Sequence, residues 1–267
     1  MTHAKGEGMA HSFSLSMAAV DILLEHARLG PAPFPFRIPH IGTTHSQRAQ
    51  VREAVFRDLE SRGLMRGGRL DGDAELGLRT FAQAPLAITA AAQLDGERRL
   101  FARAASDGQF AVVVRQDENL LVFEETRPTG IVPTIVDLLP LTPAAPGQSV
   151  TVAKPAPRQP RGRHAADDGY DPFAGVTPPR SQSSTQLRAV ERIFEKPKLR
   201  IGQFTAFVPD RSGKSVSLAP MAWFDTEDGR FFISSRDAED GQSWLTYAPA
   251  DNQRIAQQLY EQLQGYF

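Results

Sequence analysis

The sequence contains the same order of predicted elements twice, and this repeat is what most limits its fold. Residues 71–140 and residues 184–265 each indicate a helix, four short strands in hairpins and a closing helix. The strand candidates, which are apolar stretches between turn signals, are 85–93, 98–105, 109–116 and 119–125, then 200–208, 215–224, 229–235 and 242–248. A duplicated α-β-β-β-β-α unit predicts an α+β fold in which two pseudo-two-fold related lobes share a central antiparallel sheet. The repeat itself contains no catalytic motif.

Tight-turn sequences separate the strands of both units. Asp95-Gly96 and Asp107-Gly108 lie between alternating apolar stretches in the first unit, and Glu227-Asp228-Gly229 does so in the second. In several strands, such as Phe110–Val114, both alternating positions are apolar. An antiparallel sheet with one solvated face alternates more clearly than this. Both faces are therefore expected to be covered, one by helices and the other by a strap, a helix bundle or a partner.

The residues ahead of the first unit predict two capped helices and a proline-rich strap. Ser16 is a candidate N-cap for the first helix, Thr43 or Thr44 for the second, and Asp71 opens the helix of the repeat. Residues 31–39 carry four prolines, which remove backbone donors and favour extended geometry. The apolar residues of this strap, which we expect to pack over a core, are Phe34, Phe36 and Ile38.

Composition divides the chain into an N-terminal lobe, a linker and a C-terminal lobe, at residues 1–153, 154–180 and 181–267. The two lobes are expected to form one compact domain. Pro, Gly, Arg and Asp dominate the middle segment, whose large apolar residues are Tyr170 and Phe173. Such a segment buries too little apolar surface to offset the entropy of ordering it, so we expect a disordered linker. The alternative is a recognition segment that orders on a partner, with these two aromatic residues as anchors.

Charge and composition exclude several classes of protein. A net charge of −1 lacks the strong basic field that a general nucleic-acid binder needs. The absence of cysteine excludes disulfides and thiolate chemistry. Residues 1–12 lack the apolar stretch of a secretory signal, and the longest apolar runs are far below the roughly 20 residues that span a bilayer. These features predict a cytoplasmic protein with no direct membrane insertion.

The spacing of the residues excludes the candidate catalytic, phosphate-binding and metal-binding motifs. Arg211-Ser-Gly-Lys-Ser215 ends like a phosphate-binding loop, but Val208 stands where its first glycine belongs. Asp225, Glu227 and Asp228 lack calcium-loop spacing, so we interpret them as the solvated acidic tip of a hairpin. The six histidines form no i, i+4 pair, and no Gly-x-Ser-x-Gly is present. We therefore predict no catalytic residue, no metal site and no cofactor.

Five segments share an order and spacing that is informative as a set: Phe13–Asp21, Pro33–Pro39, Ile201–Phe204, Trp223–Arg230 and Tyr247–Asp251. Together they resemble the EspG family of type VII (ESX) secretion chaperones of actinobacteria. The resemblance covers both lobes and breaks in the linker. It implies a cytosolic, non-enzymatic chaperone that binds the tip of the helical PPE protein in a PE–PPE heterodimer and keeps it soluble for export. It also implies a central antiparallel sheet with pseudo-two-fold symmetry and a C-terminal helical bundle.

The resemblance also indicates where the partner binds. In mycobacterial members the loop between the second and third strands contacts PPE, and its equivalent here is Gln93–Arg98. The predicted contacts in this loop are Leu94, Asp95, Gly96, Glu97 and Arg98, and the alternative is an ordinary hairpin tip. A second predicted set lies on the C-terminal helix, opposite its core stripe of Ile255, Leu259 and Leu263, and consists of Gln257, Gln258, Glu261 and Gln262. This loop is a tight Asp-Gly hairpin, shorter than the mycobacterial loop. The partner is therefore a PE–PPE-like protein that docks differently, or another helical-hairpin ESX substrate.

Two questions stay open at the level of the sequence. A two-lobed protein is also typical of a small-ligand-binding module or degenerate enzyme with its site in the groove between the lobes. The free protein is either a monomer or a homodimer.

Overall fold

The computed structural model describes residues 12–153, 184–237 and 243–266. In the first half of the chain the elements are β1 (Ser12–Ser16), α1 (Met17–His26), α2 (His45–Ser61), β2 (Met65–Arg66), β3 (Arg69–Leu70), α3 (Gly72–Gln83), β4 (Leu86–Gln93), β5 (Arg99–Ser106), β6 (Ala111–Asp117), β7 (Leu120–Thr126) and α4 (Ile131–Val136). In the second half they are β8 (Val150–Ala153), α5 (Ser184–Glu195), β9 (Arg200–Pro209), β10 (Ser215–Ser217), β11 (Met221–Thr226), β12 (Gly229–Asp237), β13 (Ser243–Pro249) and α6 (Asn252–Leu263). The segment predicted to be a linker, 154–180, lies outside the described residues.

The fold is α+β, with one large antiparallel sheet of eleven strands. The strand order is β1-β7-β6-β5-β4-β9-β11-β12-β13-β8, and β10 adds to the end of β9. At the centre β4 pairs with β9, from Ala87 opposite Phe207 to Gln93 opposite Ile201. This ladder joins the two halves of the chain into one continuous sheet.

The strand predicted at 215–224 is wrong, because the structure contains two separate strands there. Ser215 pairs with Pro209 at the far end of β9, whereas Met221 pairs with Phe204 nearer its start. Pro220 precedes Met221 and has no N–H to donate, so a single ladder cannot run through this point. The other strands of the repeat lie within about two residues of their predicted bounds.

The predicted N-caps of the first three helices are confirmed. The Ser16 side chain accepts the Ala19 N–H, and the Asp71 side chain accepts from residue 73. Thr44 and Gln47 form a capping box in which each side chain bonds to the other's backbone. These caps satisfy amide groups that the first turn of a helix leaves without intrahelical partners.

Helices cover both faces of the sheet, as the apolar pattern of the strands predicts. On one face α4 and α6 pack across the centre, over side chains from both halves that include Ala90, Phe204 and Trp223. On the opposite face α1, α2 and α3 cover the first half, and α5 covers the second. The centre of the α4–α6 face is therefore packed core rather than the groove that the ligand-binding alternative requires.

Helix α1 contacts α2, and α4 contacts α6. The helical bundle implied by the resemblance stays a prediction. Across the described ranges, no helix has both the length and the apolarity to span a bilayer.

The proline-rich strap packs over the first-half core, as predicted for two of its three apolar residues. Phe36 is buried, with its ring centroid 5.4 Å from that of Phe81. Ile38 packs partly buried against the same cluster. The prediction is wrong for Phe34, which stays 45% exposed.

Candidate partner-binding site

The loop between β4 and β5 is short and closed by its own hydrogen bonds. The Leu94 N–H donates to the Arg98 carbonyl at 2.7 Å, and Gln93 Nε2 donates to the Gly96 carbonyl at 2.9 Å. Gly96 has a φ of +62°, a left-handed conformation that suits glycine. The loop therefore presents a defined surface rather than a long mobile arm.

The predicted set of partner contacts is corrected at Leu94, which is buried. It is 5% exposed and belongs to the core cluster beneath α4 and α6. It continues the inward-facing series of β4, which includes Ile88, Ala90 and Ala92. Because alternate residues of a strand face the same side, the packing of β4 carries Leu94 into the core. The exposed surface of the loop is made by Asp95, Gly96, Glu97 and Arg98.

Asp95 ties this loop to the second half of the sheet. Its Oδ1 accepts from Arg200 Nε at 2.7 Å, and Arg98 Nη2 lies 3.5 Å from its Oδ2. The hydrogen bond from Arg200 lowers the pKa of the Asp95 carboxyl below its ordinary value. The carboxylate therefore stays ionised and bound, and it holds the loop in place. Glu97, in contrast, is exposed.

Arg200 leads from the loop into a buried ionic network. Its Nη1 lies 3.2 Å from Asp225 Oδ2, and Asp225 in turn accepts from Arg230 at 2.6 and 2.9 Å. The Arg230 Nη2 also donates to the Pro140 carbonyl at 3.0 Å and to Thr142 Oγ1 at 3.2 Å. Four separate parts of the chain meet here: the β4–β5 loop, the start of β9, the β11–β12 hairpin and the segment after α4.

The N-terminus of α6 joins the same network. Asn252 Oδ1 accepts from Arg230 Nη1, and Asn252 Nδ2 donates to the Leu139 carbonyl at 3.4 Å. The Arg230 guanidinium carbon also lies 4.7 Å from the centroid of the Trp223 ring, in cation–π contact. These contacts fix the first turn of α6 against the segment that follows α4.

The prediction of a solvated acidic hairpin tip at Asp225, Glu227 and Asp228 is wrong for Asp225. Asp225 is 1% exposed and lies opposite Arg230 in the β11–β12 register. The signal in the sequence was the equal spacing of these two residues from the turn, which makes them a cross-strand pair of opposite charge. Asp228 forms an ion pair with Lys196.

The predicted set on α6 lies further along the helix than Asn252. Gln258, Glu261 and Gln262 follow Asn252 by 6 to 10 residues, about 9–15 Å along the helix axis. Gln262 Nε2 donates to the Ala219 carbonyl at 3.4 Å, and Glu261 Oε1 accepts from Gln257 at 3.1 Å. The predicted core stripe of this helix is buried as expected, at Ile255, Leu259 and Leu263.

Sequence reasoning missed a shallow, mainly apolar groove beside the ionic network. It lies between α4 and the start of α6, has a volume of about 590 Å³, and is lined by residues that include Val136, Leu141 and Ala256. Leu141 is 90% exposed. The available signal was an isolated leucine between Pro140 and Pro143, where no periodic pattern gives it a place in the core.

Comparison with known proteins identifies the family. No curated protein sequence matches this chain closely enough to count as a relative. In fold the chain is similar to the Mycobacterium tuberculosis type VII secretion system chaperone EspG5, solved in complex with the PE25-PPE41 dimer. That likeness has a TM-score of 0.60 at 14% identity and covers 92% of this chain and 93% of the other. The EspG family model matches residues 16–261, almost the whole sequence, and the chain therefore belongs to the EspG family of type VII secretion chaperones.

Proposed function

We propose that this protein is a cytoplasmic chaperone that binds a helical PE–PPE-like substrate of a type VII secretion system and masks its apolar tip. The observation that carries the proposal is the family match over residues 16–261. The fold similarity to EspG5, whose structure contains a PE25-PPE41 dimer, supports the class of partner. An exposed apolar tip on a helical protein is an aggregation hazard, so a protein surface that covers it before export keeps the substrate soluble.

The proposal includes a pseudo-two-fold relationship between the two halves. Its support is the order of the strands outward from the central β4–β9 pair. On one side the order is β4, β5, β6, β7 and β1, and on the other it is β9, β11, β12, β13 and β8. On each side of the centre, four antiparallel strands succeed one another in the order of the chain, apart from β10. The edge strand, β1 on one side and β8 on the other, comes from an earlier part of the chain.

The β4–β5 loop is the proposed contact region, in a corrected form. Asp95 anchors the loop through Arg200, while the side chains of Glu97 and Arg98 stay at the surface. A loop fixed in this way loses little conformational entropy on binding, which partly compensates for its short reach. Gln258, Glu261 and Gln262 form a second proposed contact on α6, further along the same helix that joins the ionic network.

Co-expression tests the proposal. PE–PPE-like or helical-hairpin proteins encoded near this one are expressed alone and together with the chain, and the soluble fraction of each is measured. The proposal predicts that one such protein is insoluble alone and soluble with the chain. The Leu94→Asp variant, which places a charge in the core, serves as an unfolded control that should rescue nothing. If folded wild-type protein leaves every candidate insoluble, the chaperone function is wrong.

A further inference from the structure

We propose that the groove between α4 and α6, with Leu141 on its rim, binds an apolar side chain of the substrate that has a lysine or arginine beside it. This inference rests on the proposed function and names the chemistry that the partner brings to the surface. It assigns the groove to the substrate rather than to a small molecule or to a second copy of this chain.

The exposure of Leu141 is imposed by its neighbours. On one side the Pro140 carbonyl accepts from Arg230 Nη2 at 3.0 Å. On the other side Thr142 Oγ1 lies 3.2 Å from Asp225 Oδ2. Both flanking residues are therefore bonded to a buried ionic network, which holds the chain on either side of the exposed leucine. An apolar side chain held 90% exposed beside a mainly apolar groove indicates a contact surface.

The groove has the shape and lining to receive an apolar side chain. Its lining includes Val136 from α4 and Ala256 from α6, together with Pro133 and Pro143. The proline rings and the short alanine leave a recess that the chain does not fill itself. Hot spots of protein interfaces are often single side chains seated in such recesses. The groove is therefore suited to hold one apolar side chain of a partner rather than to form a broad, flat contact.

The negative charge on the rim of the groove indicates which type of residue lies beside the apolar side chain of the partner. Asp137 and Asp251 line the groove, and none of its lining residues is basic. The Asp251 carboxylate already accepts the Arg254 N–H at 2.8 Å. In the described residues Asp137 has no ion pair, so its charge is available to a partner. A cation next to the anchor complements this rim, whereas an acidic neighbour is repelled by it.

The groove is linked to the proposed contact loop through Arg200. Arg200 donates to Asp95 in the loop at 2.7 Å and, through Nη1, lies 3.4 Å from Thr142 Oγ1 on the groove rim. One side chain therefore positions both features at the same end of the sheet. A partner seated on the loop reaches the groove without leaving this surface, which favours one substrate over two unrelated ligands.

The test measures the affinity of the purified complex obtained by co-expression. Leu141→Asp and Asp137→Lys are each expected to weaken binding of the substrate by about tenfold or more, because they alter an anchor site and its matching charge. Leu76→Asp and Glu60→Lys on helices of the opposite face are matched controls, and they should bind like the wild type. Reversing the charge of a lysine or arginine near the apolar tip of the substrate should restore its binding to the Asp137→Lys variant. The same change should weaken its binding to the wild type.

The outcomes separate this inference from the function on which it rests. If the wild type forms no complex with any candidate, both proposals are overturned. If Leu141→Asp and Asp137→Lys bind as tightly as the wild type, the groove is excluded and the chaperone function stands. If light scattering shows a wild-type dimer that Leu141→Asp converts to a monomer while substrate binding is unchanged, the groove is an interface between copies and the substrate assignment is wrong.

Discussion

Asp225 and Arg230 face each other across the β11–β12 hairpin and form a two-point ion pair in which both side chains are almost fully buried. The pair connects strands from the second half of the sheet to the loop of the first half, through Arg200 and Asp95. A buried ion pair adds little net stability by itself, but loss of one partner is costly because it leaves an uncompensated buried charge. Here the pair also sets the position of the candidate site, since the segment after α4 and the start of α6 both bond to Arg230.

Removing one member of this pair is predicted to destabilise the protein strongly. Arg230→Ala should lower the free energy of unfolding by about 3–5 kcal/mol, because Asp225 then stays buried without its partner. Urea denaturation followed by circular dichroism measures the loss. Glu53→Ala, which breaks the exposed Arg57–Glu53 pair, is the control and should change stability by only about 0–1 kcal/mol. Equal effects of the two variants would contradict the structural role of the buried pair.

Acid should destabilise the contact between α1 and α2. Burial raises the pKa of Asp21, but hydrogen bonds from Arg48, the Ile41 N–H and His40 outweigh it, and the net pKa lies below the ordinary value of 3.8. A carboxyl whose pKa is lower in the folded state stabilises the fold fully above its ordinary pKa. It loses that contribution as the pH falls from about 4 through the folded-state pKa.

Thermal unfolding between pH 7 and pH 3 measures this effect. The wild-type melting temperature should fall on acidification below about pH 4. Asp21→Asn should be less stable than the wild type at pH 7 and should lose less of its stability on acidification. Parallel pH profiles for the two proteins would show that Asp21 does not carry the predicted acid sensitivity.

Gly202 marks the closest packing in the centre of the sheet. A Cβ at this position would lie 2.5 Å from Ala92 Cβ, 2.9 Å from the Ala91 carbonyl and 2.9 Å from the Trp223 ring. Gly202→Ala should therefore destabilise the protein by about 1–3 kcal/mol or more, since overpacking displaces the β4–β9 pair. Gly72→Ala is the matched control, because its Cβ meets nothing within 4 Å. That variant should be neutral or stabilising by about 0.4–1 kcal/mol in the same denaturation assay.

The sequence predicted those parts of the fold that depend on local rules. The N-caps at Ser16 and Thr44 and the hairpins at Asp95-Gly96 and Asp107-Gly108 follow from a few neighbouring residues, and the structure contains them. The apolar character of both faces correctly indicated a covered sheet. The family resemblance, which depended on ordered segments rather than on one motif, is confirmed.

The candidate site was harder to predict because its geometry depends on contacts between distant parts of the chain. Leu94 lies directly before the Asp95-Gly96 turn signal, yet packing under α6, more than a hundred residues later, makes it core. The sequence around Asp225 predicts a surface residue, because its partners Arg200 and Arg230 come close only when β9, β11 and β12 are in register. Leu141 had no periodic context at all, so nothing local distinguished a contact residue from an ordinary loop residue.

The exposed charges of the β4–β5 loop give a functional prediction that avoids the core. Glu97→Arg combined with Arg98→Glu should weaken substrate binding by about tenfold, or about 1.4 kcal/mol. The melting temperature should change little, because both side chains are exposed and an exposed ion pair such as that of Arg98 with Asp95 adds little to stability. Binding is measured by titration of the labelled complex, and Glu53→Arg on the opposite face is the charge control. Unchanged affinity in the loop variant would exclude the loop as a contact region.

The central claim is that this chain binds a helical type VII secretion substrate in a defined complex. Size-exclusion chromatography with light scattering, applied to the protein co-purified with its neighbouring PE–PPE-like pair, tests it most directly. We predict a single species whose mass equals one copy of the chain plus one partner pair, and whose partner precipitates when the chain is removed. Separate elution of folded chain and soluble partner would contradict the account.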